Sequence, residues 1–194
     1  MKTSRTKSDR RRGRCVSIDF LYLDLTVCSR CRGTDKNLGE ALRVLRPVLK
    51  TMGIQAQVRK THVKSERQAR ALGFVSSPTL RVNGRDIAGE LRESCCGSCS
   101  SACGDGTPVN CRVWSYQGQQ HAQAPVGLIV ESILQEVVGT PKRPELITRE
   151  SRAVPSNLKR YFARKTPLCK TSTVRRGLMS NQPRSMFHVD RFFS

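Results

Sequence analysis

The stretch CVSIDFLYLDLTVCSRC, residues 15–31, decides the fold. From residue 15 to residue 27 it is almost continuously apolar and rich in β-branched and aromatic side chains, which is typical of a central strand covered on both faces. This strand leads into Cys28 and Cys31, which are spaced as Cys-x-x-Cys. The residues that follow have apolar side chains at helical spacing. The sequence therefore predicts a strand that delivers two thiols to the start of a helix.

A long helix and a second strand are predicted after the two cysteines. The apolar positions of this helix are Leu38, Ala41, Leu42, Leu45, Val48 and Leu49. Pro47 lacks a backbone N–H and predicts a kink or a local break, and Gly53 predicts the end of the helix. Residues 54–63 begin with alternating apolar and polar side chains, as a strand does.

A short helix and a hairpin come next in the predicted order. Ser65 and Gln68 have the spacing of a capping box, which marks the start of the short helix. Pro78 precedes a strand, and Asn83-Gly84 is the favoured two-residue turn between the two strands of a hairpin. We expect these strands at residues 79–82 and 85–88.

The last helix of the core is predicted within residues 124–141, where apolar residues recur at helical spacing. The predicted fold is of the α/β class, with the order β-α-β-α-β-β-α and a Cys-rich insertion, residues 89–124, before the last helix. Alternating strands and helices predict that the first two strands are parallel, and the tight turn predicts an antiparallel hairpin.

Positive charge is concentrated at the two ends of the chain. Lys and Arg number 35 and Asp and Glu 15, and most of the excess lies in residues 1–14 and 141–194. We expect a basic, disordered N-terminus (1–14), a core domain (15–140) and a basic, mostly disordered tail (141–194). Within this tail, residues 157–165 have the pattern of a short basic helix.

The sequence has no apolar run near the ~18 residues of a membrane span, and its charged start lacks the apolar segment of an export signal. We therefore expect a cytoplasmic protein without a membrane span. Structural disulfides are rare in the cytoplasm, so cysteine clusters there indicate redox chemistry or metal binding.

The insertion carries five cysteines within the stretch RESCCGSCSSACGDGTPVNCRVW, residues 92–114. They are Cys95, Cys96, Cys99, Cys103 and Cys111. The first predicted strand runs towards the Cys-x-x-Cys, and the return strand of the hairpin runs in the same direction. The insertion therefore leaves the sheet at the end where the first cysteine pair lies, and we expect its thiols to be within reach of that pair.

Two features together resemble the thioredoxin-like superfamily: the Cys-x-x-Cys that opens the first helix, and Pro78 just before the third strand. The resemblance implies a thioredoxin-like fold and a cis peptide bond at Pro78, which would shape the groove for a partner. Residues 16–138 also resemble a little-characterised bacterial family of thioredoxin-like domains of unknown function. That family combines the Cys-x-x-Cys with a later Cys-rich insertion that ends in a CRVW-like stretch, here Cys111–Trp114.

The first cysteine pair has the features of a redox-active dithiol. The reactive form is the thiolate, and the helix N-terminus together with Arg30 and Arg32 would lower the pKa of Cys28. Cys28 is then the nucleophile and Cys31 the resolving thiol. Asp24, near the end of the first strand, is a candidate proton acceptor for Cys31.

The sequence leaves several roles open for the insertion thiols. In a redox relay, a pair such as Cys96/Cys99 or Cys95/Cys103 exchanges with the first pair. In a metal site, four thiolates hold Zn²⁺ or another thiophilic ion, such as Cu(I), Hg(II) or arsenite, and an iron–sulfur cluster also stays open. In a structural role, the thiols staple a Gly/Ser-rich loop. The first pair could equally be one half of a zinc site.

We therefore expect a thiol–disulfide oxidoreductase that acts through Cys28 and Cys31 on a protein or small-molecule partner, with the insertion thiols as an auxiliary cluster. The alternative is a non-catalytic thiolate metal-binding protein that handles zinc or a toxic thiophilic metal. A minor third hypothesis is nucleic-acid binding by the basic ends, in which Tyr161 and Phe162 stack on bases.

Overall fold

The computed structural model describes residues 14–102, 109–139 and 153–165. The strands are β1 (Arg14–Tyr22), β2 (Ile54–His62), β3 (Thr79–Val82), β4 (Arg85–Asp86), β5 (Arg92–Cys95), β6 (Asn110–Tyr116) and β7 (Gln119–His121). The helices are α1 (Ser29–Thr51), α2 (Glu66–Leu72), α3 (Gly97–Ala102), α4 (Val126–Val138) and α5 (Ser156–Lys165). Of these helices, none is long and apolar enough to cross a membrane.

The main sheet has four strands in the order β2-β1-β3-β4. β1 pairs with β2 in parallel, and β3 is antiparallel to both β1 and β4. The turn between β3 and β4 has positive φ at Asn83 (49°) and Gly84 (83°), as the primed hairpin turn requires. The α/β class and the predicted strand directions are confirmed.

β1 buries one face along most of its length, and the residues at its end enter a second hydrophobic cluster on the other side. Val16, Ile18 and Phe20 pack with residues of α1 and α4 in the first cluster. Leu21 and Leu23 join the second cluster, which also contains the buried cysteines. This alternation is the period-2 pattern of a strand. Between residues 16 and 20 the second face is polar and half-buried, so the cover on both faces that the sequence predicted is found only at the end of the strand.

Of the kink or local break expected at Pro47, the break does not occur, because α1 runs through this residue to Thr51. Pro47 leaves the carbonyl of Arg43 without its helical donor. Both residues are exposed, so water can solvate that carbonyl near the end of the helix. The helix ends before Gly53, whose φ of +66° lies in the left-handed region, as the sequence predicted.

The insertion contains a folded unit with its own sheet. β5, β6 and β7 form a three-stranded antiparallel sheet, and α3 lies between β5 and β6 in the chain. β6 and β7 are joined by a second primed turn, in which Gln117 (φ 50°) and Gly118 (φ 76°) take the left-handed conformation. The sequence predicted only a cysteine-bearing loop here.

α5 packs against α2 and into the second hydrophobic cluster. Its Leu158, Tyr161 and Phe162 are buried, whereas Lys159 and Arg160 are exposed. The two aromatic rings are therefore unavailable for stacking on bases. The remaining predictions for residues 1–13, 140–152 and 166–194 fall outside the described residues.

Candidate metal centre

Four buried thiols converge at the end of β1 where the chain enters α1. They belong to Cys28, Cys96, Cys99 and Cys111, and their sulfur atoms all lie within 4.8 Å of one another. The Sγ atoms of Cys99 and Cys111 are 3.6 Å apart. A tetrahedral zinc ion with Zn–S bonds of about 2.3 Å places its sulfurs roughly 3.8 Å apart. The four sulfurs thus have nearly the spacing of a single tetrahedral ion's ligands.

Cys28 is placed by the start of α1, where it is the N-cap residue. Its backbone is extended, and its Sγ accepts the backbone N–H of Cys31 at 3.4 Å, as an N-cap oxygen does in other helices. The partial positive charge of the helix N-terminus favours a thiolate at this position.

The other three thiols are placed by the insertion sheet and the turn that leaves it. Cys96 follows β5 and donates its N–H to Val109 O at 2.8 Å, while Cys99 donates its N–H to Cys96 O at 3.1 Å. This turn brings the two thiols of the second Cys-x-x-Cys together. Cys111 lies on β6 opposite Ser94 of β5, and the strand pairing holds it against the same turn.

Hydrogen bonds among the thiols shift their pKa values in opposite directions. Cys111 and the neighbouring thiols hydrogen-bond to Cys28 and hold its pKa far below the usual range. Cys111 likewise lowers the pKa of Cys96 to about 6. The hydrogen bond from Cys111 also lowers the pKa of Cys99. The hydrogen bonds of Cys99 with Cys28 and Cys96, together with burial, outweigh this effect and raise the pKa of Cys99 overall. The pKa of Cys111 itself is raised, chiefly because it donates to Cys28.

Cys31 is buried beside this group but is not one of the four. Its thiol lies 3.3 Å from Ser77 Oγ, and its hydrogen bond with Cys28 raises its pKa. Ser77 precedes Pro78, which is buried, and the Ser77–Pro78 bond is cis, as the sequence resemblance implied. The two cysteines of the first pair therefore face different partners: Cys28 the insertion thiols, and Cys31 the Ser77–Pro78 segment.

Asp24 organises the turn between β1 and α1. Its Oδ1 accepts hydrogen bonds from Thr26 N at 2.7 Å, Thr26 Oγ1 at 2.6 Å and Val27 N at 3.2 Å. These bonds shape the backbone just before Cys28. The role of Asp24 as a proton acceptor for Cys31 stays a prediction.

The guanidinium of Arg30 joins the start of α1 to the insertion sheet. It donates to Cys95 O at 2.8 Å, to Ser94 Oγ at 2.9 Å and to Cys111 O at 3.1 Å. Sequence reasoning assigned Arg30 an electrostatic role beside Cys28 but missed these contacts. They tie the helix that carries Cys28 to the strands that carry the other three thiols.

Arg112 fixes β6 to the main sheet. Its side chain is 1% exposed, donates to Asp86 Oδ2 at 2.9 Å and lies over the ring of Trp114. Its backbone N–H donates to Ser77 O at 2.8 Å. Sequence reasoning did not single out Arg112, because its partner Asp86 lies 26 residues away in the chain and no local pattern indicates this ion pair.

One of the five predicted insertion cysteines lies outside the four-thiol group. Cys95 is exposed and does not belong to the four-thiol group. Cys103 falls outside the described residues. Sequence reasoning predicted that the insertion thiols would approach the first pair, but it did not predict that Cys28 would complete a group of four with Cys96, Cys99 and Cys111.

The fold and the site define an α/β domain whose Cys-rich insertion brings three thiols to a fourth at a helix N-terminus. Residues 16–133 match a family described as a domain of unknown function (DUF2703), and the chain belongs to that family. The matched segment contains all four thiols. Searches of curated proteins and of solved structures gave no significant match.

Proposed function

We propose that this protein is a non-catalytic metal-binding protein that holds one thiophilic ion through Cys28, Cys96, Cys99 and Cys111. The observation that carries the proposal is the mutual distance of the four sulfurs, all within 4.8 Å, in a buried position. Soft thiolate ligands select Zn²⁺, Cu(I) and similar ions over hard cations such as Mg²⁺ or Ca²⁺.

The size of the group favours a single ion over an iron–sulfur cluster. A cluster separates its iron atoms by bridging sulfides and therefore needs its cysteines spread further apart than one tetrahedral ion does. Four protein ligands also leave no open coordination position, which is the arrangement of structural or carrier sites rather than catalytic zinc sites. The expected role is thus to hold or hand over the ion.

Cationic groups near the thiols support an anionic site. Four thiolates and a dication carry a net charge of −2 in a buried position, which is costly without compensation. The guanidinium of Arg30 lies against the carbonyl of Cys111, and the N-terminus of α1 points at Cys28. Both offset the excess negative charge.

Cobalt(II) titration of the reduced full-length protein tests the proposal. Tetrahedral thiolate coordination gives intense visible bands and sulfur-to-cobalt charge transfer, and we expect saturation at one ion per chain. Cys99→Ser should weaken binding by at least ~100-fold, more than loss of a ligand-supporting group costs. Cys15→Ser is the matched control, because it changes an exposed cysteine at the start of β1, the end of the strand away from Cys28. An unchanged spectrum for Cys99→Ser would disprove the proposed ligand set.

The second candidate function is thiol–disulfide exchange with a protein or small-molecule partner through Cys28 and Cys31. It is supported by the contact of the two residues and by the position of Cys31 against Ser77, next to Pro78. Metal-free reduced protein should then reduce a disulfide substrate, and Cys28→Ser should abolish the reaction. Equal rates for wild type and Cys28→Ser would eliminate this function.

A further inference from the structure

Cys31 is a fifth buried thiol in contact with the four-thiol group. Its backbone N–H donates to Cys28 Sγ at 3.4 Å, and both side chains are fully buried. Its own sulfur lies 3.3 Å from Ser77 Oγ and is not one of the four sulfurs that lie within 4.8 Å of one another. A bound ion would hold the four ligand sulfurs and leave Cys31 as a neighbouring thiol outside the coordination sphere.

We propose that Cys28 alternates between two exclusive states, a metal-bound thiolate and a disulfide with Cys31, so that oxidation of this pair releases the ion. The proposal rests on the metal binding proposed above and adds its regulation. Cys28 is the ligand that α1 contributes, whereas Cys96, Cys99 and Cys111 all come from the insertion.

The two states exclude each other because a disulfide sulfur has lost the negative charge that makes a thiolate a metal ligand. After oxidation the ion would keep three thiolates, and its bond to α1 would be gone. A Cys-x-x-Cys pair at a helix start closes a short loop, which is the geometry in which such disulfides form readily.

The oxidant in this reaction is a peroxide, and the only further reactant is one proton from the solvent. The Cys28 thiolate attacks one oxygen of hydrogen peroxide, the O–O bond breaks, and the leaving hydroxide takes up a proton to become water. The Cys31 thiol then attacks the sulfenic sulfur of Cys28, the S–S bond forms and the S–O bond breaks. The Cys31 proton leaves with the hydroxyl group as a second water. Two electrons pass from the two sulfurs to the peroxide, and the metal leaves with its charge unchanged.

Cys28 is buried but lies close to the protein surface. The residues on either side of it, Val27 and Ser29, are exposed at the start of α1. Oxidation between two ligands is the competing reaction, because Cys99 Sγ and Cys111 Sγ lie 3.6 Å apart. A Cys99–Cys111 disulfide requires two metal-bound sulfurs to leave the ion, whereas a Cys28–Cys31 disulfide requires only one, because Cys31 lies outside the coordination sphere.

The test uses reduced full-length protein loaded with one equivalent of Zn²⁺ and treated with hydrogen peroxide. A chromophoric zinc indicator follows release, and mass spectrometry of peptides maps the disulfides. We expect the wild type to release zinc as a Cys28–Cys31 disulfide forms. Cys31→Ser should bind zinc like the wild type when reduced, which also shows that it folds, and should release it at least ~10-fold more slowly. Cys95→Ser, which changes an exposed thiol next to a ligand, should release zinc at the wild-type rate.

Three results would overturn the proposal. Wild-type release from Cys31→Ser, or a first disulfide that joins Cys99 to Cys111, would show that Cys31 does not control release, while metal binding itself would stand. Absence of zinc from the reduced wild type would overturn both this inference and the proposed metal-binding function. The disulfide map of the wild type shows directly whether Cys28 pairs with Cys31, and this result does not depend on any variant.

Discussion

Cys28 is the residue at which the separate parts of the site meet. As the N-cap of α1 it accepts a backbone N–H through its sulfur, and it faces the positive end of the helix dipole. Hydrogen bonds from Cys111 and the neighbouring thiols further favour the thiolate of Cys28 and lower the pKa of Cys28. A thiolate at Cys28 therefore attracts the insertion thiols before any metal is bound.

Metal binding should release about two protons near pH 7.5, because two of the four thiols are already ionised in the metal-free site. The pKa of Cys28 lies well below its usual value and that of Cys96 is about 6, whereas those of Cys99 and Cys111 are raised. The ion needs four thiolates, so the last two must lose their protons on binding. Affinity for the ion should therefore fall as the pH falls.

Calorimetric titration with Zn²⁺ in buffers of different ionisation enthalpy measures the number of protons released. About two is the expected number, and affinity should be higher at pH 8 than at pH 6. Release of all four protons at neutral pH, or an affinity independent of pH, would conflict with the mixed protonation of the free site.

At the residue scale, the sequence predicted the local position of the first cysteine pair but not the group of four thiols. Helix-start spacing correctly placed Cys28 next to Cys31. It could not show that their sulfurs turn to different neighbours, because that depends on the extended backbone of the N-cap and on Ser77, which lies 46 residues from Cys31. It also could not identify Cys28 as a member of the group of four, since this follows from tertiary packing.

At the element scale, the site depends on how α1 is joined to β5 and β6. The planar guanidinium of Arg30 reaches two carbonyls and one hydroxyl on these strands at distances between 2.8 and 3.1 Å. Lysine has no such fork and cannot replace all of these bonds. Arg30 thereby helps to hold Cys28 in position relative to the other three thiols.

Arg30→Ala should weaken metal binding by roughly 10- to 100-fold, as loss of a group that orients metal ligands usually does. The metal affinity of Arg30→Lys should lie between those of the wild type and Arg30→Ala, because lysine keeps the charge but lacks the several N–H donors of the planar guanidinium. Competition with a chelator of known affinity measures the change. Arg46→Ala, an exposed arginine further along α1, is the control. An Arg30→Ala protein with wild-type affinity would show that the hydrogen bonds of Arg30 do not position the metal ligands.

The elements with strong local signals were the predictable ones. The apolar run of β1, the Asn83-Gly84 turn and the serine at the start of α2 predicted strand, hairpin and helix, and Ser65 Oγ does accept the N–H of Gln68 at 3.2 Å. The insertion sheet was missed because β5 and β7 are only four and three residues long and lack apolar alternation. Their stability comes from pairing with β6, a contact that the local sequence does not encode.

At the scale of the whole molecule, the cysteines belong to a hydrophobic cluster that α5 helps to close. Leu158 is fully buried, and with Tyr161 and Phe162 it shares this cluster with Cys28, Cys96 and Cys99. The basic composition around α5 pointed to a solvated tail, but its apolar residues at 158, 161 and 162 lie on one face of the helix. This face shields the thiol group from water.

Leu158→Ala should lower the free energy of unfolding of the metal-free protein by about 2–5 kcal/mol, as truncation of a buried leucine usually does. Urea unfolding of the reduced full-length chain followed by circular dichroism measures the change. Lys159→Ala, at the neighbouring exposed position, should change it by less than ~0.5 kcal/mol. Equal stabilities of the two variants would show that α5 does not pack on the cysteine cluster.

The most direct test of the central claim is the intact mass of reduced, anaerobically purified full-length protein under native and then denaturing conditions. If the four thiols form a metal site, the native mass should exceed the denatured mass by one thiophilic ion per chain, and Cys111→Ser should lose that difference while Cys15→Ser keeps it. Equal native and denatured masses of the wild type, after incubation with excess Zn²⁺ or Cu(I), would contradict the account.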